Sequence, residues 1–566
     1  MADRKRISLN GTWNYVPDQY CRGQNNGFMG EVAADRSCSG RDPADHDTDD
    51  VGTIPVPSSW NMAIPELRYY ERQLWYYKRF KKPNLRSGKR AFLCFEGSYY
   101  RTRAWVNGTE VGQHLGGFTP FEFEITDQLE SNNLLAVLVD AARDSERLPT
   151  TVTDWFTYGG LTRDVFVEIR PEKYITDFFI HLDKAGRNIT GHISASSAGN
   201  AVISISQLNI RETIAVGGKN NTGTFTLPVP EKLERWSPDN PRLYPVTVTF
   251  GQDRIRERVG FRTISVKNGN VILNGTPVFL KGISVHEDHY KKGRTLNDRD
   301  REDIFRLAND LGLNFLRIAH YPHSRRMAQM ADEKGFLLWE EIPVYWDIEW
   351  ENKETYADAQ NQLRELILRD RNRASVILWS IANETPPTDK GRTAFLTKLC
   401  RFAKRMDRSR LVTAAIFKEE KGKEMYVADP VAEELDVLGI NQYFGWYGFC
   451  EPEEALNMLR FRNTKFSDKP VIISEFGAGA KAGHHGKLRF SEEYQAAVYE
   501  NMLKALESCD SIKGMTPWIL IDFRAPLREN KFQRGFNLKG LVDKDRKTRK
   551  KAFYVYKAFE SKKCRE

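Results

Sequence analysis

Long hydrophobic runs are missing from these 566 residues. No stretch approaches the roughly 18 to 20 consecutive apolar residues of a membrane-spanning helix, so a membrane partner is not expected. The amino end, Met1-Ala-Asp-Arg-Lys-Arg, is charged and has no apolar segment behind it, which argues against a signal peptide. A soluble protein is expected, cytoplasmic or, where an export signal has been removed, periplasmic. Cysteine is sparse: seven residues (21, 38, 94, 400, 450, 509, 564), an odd number with no C-x-x-C pair. That excludes a disulfide framework and the spacing of a structural zinc site. Internal repeats and low-complexity tracts are lacking as well. A net charge of +9 is modest for this length and permits an acidic ligand without requiring one. The densest basic run, Lys544 to Lys551, has no recognition motif beside it. It reads as a solvated helix face, and no nucleic-acid partner is expected.

What is present is a well-packed composition, 40% hydrophobic and 12% aromatic, on a chain too long for one core. Residues 1 to about 172 alternate apolar and polar side chains in short runs broken by Gly, Pro, Asn and Asp. Phe92–Phe95, Arg103–Val106 and Leu134–Val139 are examples, and Asn107-Gly108 between two such runs signals a type I′ hairpin. This region predicts a jelly-roll β-sandwich. Residues 173–264 repeat the theme on a smaller scale, with strands at Ala201–Ile205 and Tyr244–Phe250, the size of an immunoglobulin-like sandwich. From residue 265 to 566 the rhythm changes. Strand-like runs at 279–286, 315–320, 336–342, 376–381, 411–415, 437–440, 471–474 and 514–521 alternate with segments of helical period, including helices from Asp298 and Ser324. Eight such units predict a (β/α)8 TIM barrel.

Two strings in this last region carry the chemistry. Trp379-Ser-Ile-Ala-Asn383-Glu384 and Ile472-Ile-Ser-Glu475-Phe-Gly477 are each a buried-strand pattern ending in a carboxylate. A carboxylate there is costly to desolvate unless it has work or a partner. The carboxyl ends of barrel strands form the catalytic face, and two glutamates on that face fit the acid and nucleophile of a glycosidase. Taken singly, either could be an ordinary strand-end ion-pair partner.

The other strand ends are polar too: His286-Glu287-Asp288, Arg317-Ile-Ala-His320, Glu340-Glu341, Asn441-Gln-Tyr443 and Trp518. Hydrogen-bonding groups around an aromatic floor suit a buried sugar. In an extended strand His286 and Asp288 point opposite to Glu287 and His289, so this tetrad makes no compact ligand set and no metal is expected. Gly477-Ala-Gly479-Ala-Lys-Ala-Gly483 has its third glycine one residue late for a dinucleotide fingerprint and no surrounding βαβ unit, so no nucleotide cofactor is expected.

These strings, with Arg317-Ile-Ala-His320-Tyr321-Pro322, Asn441-Gln-Tyr443-Phe-Gly-Trp446-Tyr447 and Asp154-Trp-Phe-Thr-Tyr-Gly159-Gly160, make the whole chain resemble glycoside hydrolase family 2 and, within it, the β-glucuronidases. The resemblance implies Glu384 as general acid/base, Glu475 as nucleophile and Asn383 as partner of the sugar 2-hydroxyl. It further implies Asp154 and His286 as hydroxyl binders, Tyr443 orienting the nucleophile, and Asn441 and Trp518 lining the site. Asn537-Leu-Lys539 matches the motif that holds the sugar carboxylate, with Tyr447 beside it. An ammonium and an amide suit that anion. Where some members carry an arginine four residues before the asparagine, this chain has Gln533, followed by Arg534. Galacturonides and galactosides therefore stay open as substrates, as does a non-catalytic carbohydrate-binding protein. Family members are often oligomeric, and a homo-oligomer stays open.

The loop from about Pro343 to Tyr356 is too short for a lid over the pocket mouth. Trp346 and Trp350 on it are expected either to form an open stacking platform for a leaving-group sugar or to pack onto the barrel rim. The platform predicts cleavage of glucuronate-capped oligosaccharides.

Overall fold

The computed structural model describes residues 4–30, 48, 51–85, 88–421, 424–447, 460–461 and 465–560. Near the amino end, a four-stranded antiparallel sheet (Lys5–Ser8, Val165–Pro171, Lys89–Phe95, Phe121–Glu124) packs on a six-stranded one containing Gly11–Asp18, Gln73–Lys81 and Asn132–Asp140. Trp13, Tyr76, Leu93, Phe95, Val137 and Val139 share the core between them. The alternation read from the sequence is what places these side chains on one face. The Asn107-Gly108 hairpin forms as expected, with φ of +52° and +80° and Val106 opposite Thr109. The same core continues through Ala319, Tyr321, Tyr345 and Trp518, so the sandwich is packed onto the top of the barrel.

The second sandwich pairs the sheet Ile175–Leu182, Asn188–Ala195, Thr222–Pro228 with the sheet Ile210–Val216, Gly199–Ile205, Tyr244–Phe250, Asp253–Val259. It closes over its own apolar cluster.

The barrel is closed by eight parallel strands: β1 (Leu280–Val285), β2 (Phe315–Ile318), β3 (Leu337–Glu341), β4 (Val376–Asn383), β5 (Leu411–Ile416), β6 (Val437–Asn441), β7 (Val471–Glu475) and β8 (Ile512–Met515). Every residue of β1, β2, β3, β4, β5 and β7 is buried, as strands covered on both faces require. Helix α1 (Asp298–Asp310) starts at Asn297, whose side chain and that of Asp300 cap each other's backbone. Helix α2 (Arg325–Lys334) starts at Ser324 and ends at Gly335, whose φ of +76° suits a residue without Cβ. Helices α3 (Lys353–Asp370) and α4 (Arg392–Met406) flank β4, and α5 (Glu492–Glu507) and α6 (Lys551–Ala558) pack together. Strand β8 is shorter than the expected 514–521; Trp518 lies beyond it in the loop.

The basic run is not a solvated face. Lys550 is fully buried, 2.8 Å from both carboxylate oxygens of Asp522, and Arg546 donates to the carbonyls of Asp288 and Asp300. Only Lys551 begins the helix. These cations tie the C-terminal segment under the barrel loops, because a buried charge needs a partner. Among the described residues no helix is long and apolar enough to cross a membrane.

Candidate active site

The site is organised by Arg317, a cation set in the middle of the apolar strand β2 and wholly buried. Its guanidinium donates to Glu475 Oε1 at 2.6 Å, to Glu341 at 3.1 Å and to Asn383 Oδ1 at 2.7 Å. One arginine thereby links the tops of β2, β3, β4 and β7. The fork geometry allows this, and burial of the charge is offset by two carboxylates. Burial alone would raise Glu341, but Arg317 and His320 hold it at about 2. His320 Nδ1 lies 2.6 Å from Glu341 Oε1, and the ring stacks on Trp518 at 4.8 Å.

Glu475 ends β7 with both oxygens engaged, Oε1 by Arg317 and Oε2 by the Tyr443 hydroxyl at 2.6 Å. Such a carboxylate is fixed in orientation. Glu384 follows β4 with φ of +50°, its N–H donating to Ala415 O on β5. Its pKa is raised, first by burial and then by the charge of Glu475. A carboxyl group of raised proton affinity beside a second, firmly held one is the pattern of an acid next to a nucleophile.

Asn383 accepts from Arg317 and from Asn441 Nδ2 at 3.2 Å, while its own buried Nδ2 has no partner among the described residues. Asn441 is braced by the Ser474 hydroxyl at 2.7 Å. His286 approaches the Tyr321 hydroxyl through Nδ1 at 3.2 Å and leaves Nε2 unpaired among the described residues. Burial, then the nearby His320 and His323, hold it well below the usual imidazole range, so it is neutral. An amide donor next to Glu384 in sequence and an imidazole nitrogen on a ring packed against Trp518 and His320 are thus left open among the described residues.

The other end of the site is cationic. Lys539 is only 2% exposed, donates to the Tyr447 hydroxyl at 2.9 Å and has no carboxylate partner among the described residues. Its ammonium lies 5.4 Å from the centre of the Tyr443 ring, which connects this end to Glu475. Arg528 donates to the same Tyr447 hydroxyl at 3.2 Å and grips Asp154 through two further bonds. Asn537 braces the cluster, donating to Asp154 at 3.2 Å and accepting from the Lys539 N–H. Asp154 therefore arrives from the first sandwich as expected, but with its carboxylate committed to Arg528 and Asn537. Gln533 is tied to Asn530 at 2.6 Å.

Residues next to His286 hold the domains together. Glu287 pairs with Arg163 of the sandwich at 2.8 Å, and Asp288 accepts from the Tyr158 hydroxyl at 2.6 Å. Among the described residues no group of three or more acidic, His or Cys side chains could hold a metal.

The platform expectation divides. Trp350 is buried against Phe395 with its N–H on Asp389, which is the packed alternative. Trp346 is half-buried and its N–H reaches Glu384 Oε2 at 3.0 Å. Sequence reasoning quoted Arg317 among the polar strand ends without giving it a role, and passed over Arg528. A charge inside an apolar strand was the available signal for the first. Arg528 follows Leu527 in a polar loop and gave none.

Comparison with known proteins agrees with this architecture. Family models described as "Glycosyl hydrolases family 2, sugar binding domain", "Glycosyl hydrolases family 2" and "Glycosyl hydrolases family 2, TIM barrel domain" match residues 7–171, 173–262 and 264–563. A beta-glucuronidase of Paenibacillus borealis is 28% identical over 84% of this chain and 86% of its own length. A beta-glucuronidase of an uncultured Clostridium sp. superposes with a TM-score of 0.84 at 27% identity, covering 98% of this chain and 97% of that one. The Ruminococcus gnavus beta-glucuronidase in complex with D-glucuronic acid gives 0.85 at 26% identity with the same coverage. Sandwich, immunoglobulin-like domain and barrel, matched in order along its length, place this chain in glycoside hydrolase family 2.

Proposed function

We propose that this protein is a retaining, exo-acting β-glucuronidase. The observation that carries the reading is Lys539, a buried ammonium with no carboxylate partner among the described residues, next to Tyr447 and the glutamate pair. Tyr447 accepts from both Lys539 and Arg528, so its own hydroxyl proton is left to donate. A C6 carboxylate is the group that uses two cations and a hydroxyl donor together. The comparison structure's D-glucuronic acid supports the same class of ligand.

In this reading Glu384 protonates the glycosidic oxygen while Glu475, held by Arg317 and Tyr443, attacks the anomeric carbon. Ester formation removes the negative charge of Glu475, one of the two causes that keep Glu384 high. Glu384 then acts as a carboxylate base and activates the water that releases the sugar. Asn383 Nδ2 donates to the 2-hydroxyl, neutral His286 offers Nε2 to another, and Trp518 floors the pocket. The unit limits we assign are 1–172, 173–264 and 265–566.

Glucuronate-capped oligosaccharides belong among the substrates. Helix α3 begins at Lys353, and Tyr345, Ile348 and Trp350 of the preceding loop are buried, which supports a mouth without a lid from this loop. The test is a panel of aryl β-glycosides with product stereochemistry followed by NMR. Faster cleavage of the galactoside or galacturonide than the glucuronide would overturn the carboxylate assignment, and inversion would overturn the mechanism. Binding without turnover would replace the enzyme by a carbohydrate-binding protein.

A further inference from the structure

Trp346 is joined to Glu384 by more than its indole. The loop after β3 is zipped to the end of β4: Asn383 N–H donates to Val344 O at 2.9 Å, and Trp346 N–H donates to Asn383 O at 3.1 Å. Trp346 itself has φ of +55°, and its ring stacks on Tyr345 at 4.6 Å. Backbone and ring are both fixed when the indole N–H reaches Glu384 Oε2 at 3.0 Å.

An indole N–H donates and cannot accept. A carboxylic acid accepts such a bond far better at its carbonyl oxygen than at its hydroxyl oxygen. We propose that Trp346 is a positioning residue that assigns the two oxygens of Glu384, keeping Oε2 as acceptor and placing the acid's proton on Oε1. The inference rests on the proposed glycosidase mechanism. It predicts that the proton is always on one oxygen, and that the carboxylate keeps the same orientation when it acts as base.

Glu475 from β7, His320 after β2, Tyr345 on the same loop, Tyr443 after β6 and the Asn441 amide also act on Glu384. None of them is removed when Trp346 is replaced. Trp346→Phe keeps a ring for stacking and removes the donor. Its kcat/KM for a glucuronide with a poor leaving group, a sugar or an alkyl alcohol, should fall about 10- to 100-fold, because protonation of that oxygen limits the step. For an aryl glucuronide with a strongly acidic phenol, which departs without a proton, the loss should stay within about threefold. The alkaline limb of kcat/KM should move up by about one pH unit, since a donor that favours the carboxylate has gone. Trp346→His, which restores a ring N–H, should exceed Trp346→Phe on the poor leaving group.

Equal losses on both leaving groups, an unmoved alkaline limb, or equal rates for the Phe and His variants would each overturn the proposal and leave Trp346 a packing or stacking residue. Where Trp346→Phe does not fold, Trp346→Leu against Trp346→His gives the same comparison. A wild-type enzyme that cleaves another glycoside but no glucuronide sinks the substrate reading alone, and the leaving-group comparison then runs on that glycoside.

Discussion

The two ends of the site handle charge in opposite ways. Around Glu475 and Glu341 each anion is met by Arg317, with His320 and Tyr443 completing the set. At the Lys539 end, Arg528 is matched by Asp154, and the lysine is left over among the described residues. At the first end the neighbours of the carboxylates neutralise them and fix their orientation. On the proposed function the second end is kept for the substrate's anion, and its surplus cation is held at a cost in stability. On that reading the site completes its charges only when substrate binds, which separates recognition from chemistry.

The comparison breaks most visibly at the nucleophile. Glu475→Ala should lower turnover of an aryl glucuronide by at least about 10⁴-fold, with no glycosyl-enzyme detectable by intact mass after treatment with a 2-fluoro substrate analogue. Substantial residual activity would move the chemistry elsewhere. Next comes the cation between the two anions. Arg317→Met strands Glu341 and Glu475 in a buried setting, and should cost about 3–5 kcal/mol of stability and about 10³-fold in kcat. Thermal denaturation and kcat measured together distinguish this from a local effect on binding.

Removing the surplus cation should act on one substrate class. Lys539→Met is expected to lower kcat/KM for the glucuronide by about 10²- to 10³-fold, with the slow cleavage of the matching glucoside unchanged or improved. Because the lysine has no carboxylate partner among the described residues, the same variant should match the wild type in thermal stability or exceed it. A large drop in melting temperature would contradict the charge asymmetry.

The closed end should also be visible in pH dependence. Glu341 is held at about 2, below its ordinary 4.5, by Arg317 and His320 despite burial. A depressed carboxylate binds fewer protons in the folded than in the unfolded state, so its contribution is complete above about pH 5. It is lost as pH falls toward 2, and amounts to on the order of 3 kcal/mol. Chemical denaturation of wild type and Glu341→Gln across that window should show a difference that shrinks on acidification. The smallest effect belongs to Trp350. Trp350→Phe loses one hydrogen bond to Asp389, and should cost about 1 kcal/mol in stability and less than about twofold in activity. That sets it apart from Trp346 on the same loop.

The barrel was legible because strands covered on both faces read as continuous apolar runs, and its polar ends stood out against them. The jelly-roll hairpin at Asn107-Gly108 was legible because few residues take positive φ in succession. The run Lys544 to Lys551 misled because local sequence shows where charges are dense and not what lies opposite them. Asp522 and Asp288 come from other loops and Asp300 from the first turn of helix α1.

By itself the sequence determined the strand and helix periods, the two carboxylates at strand ends and the Asn537-Leu-Lys539 tripeptide, since each depends on spacing within a few residues. Partnerships were decided by the tertiary structure. Asp154 and Arg528 are 374 positions apart, and Arg317 and Glu475 are 158 apart. Barrel closure sets which side chains converge at the strand tops. Burial then fixes their charges, because an ionised group removed from water persists only where the fold has placed its counter-charge.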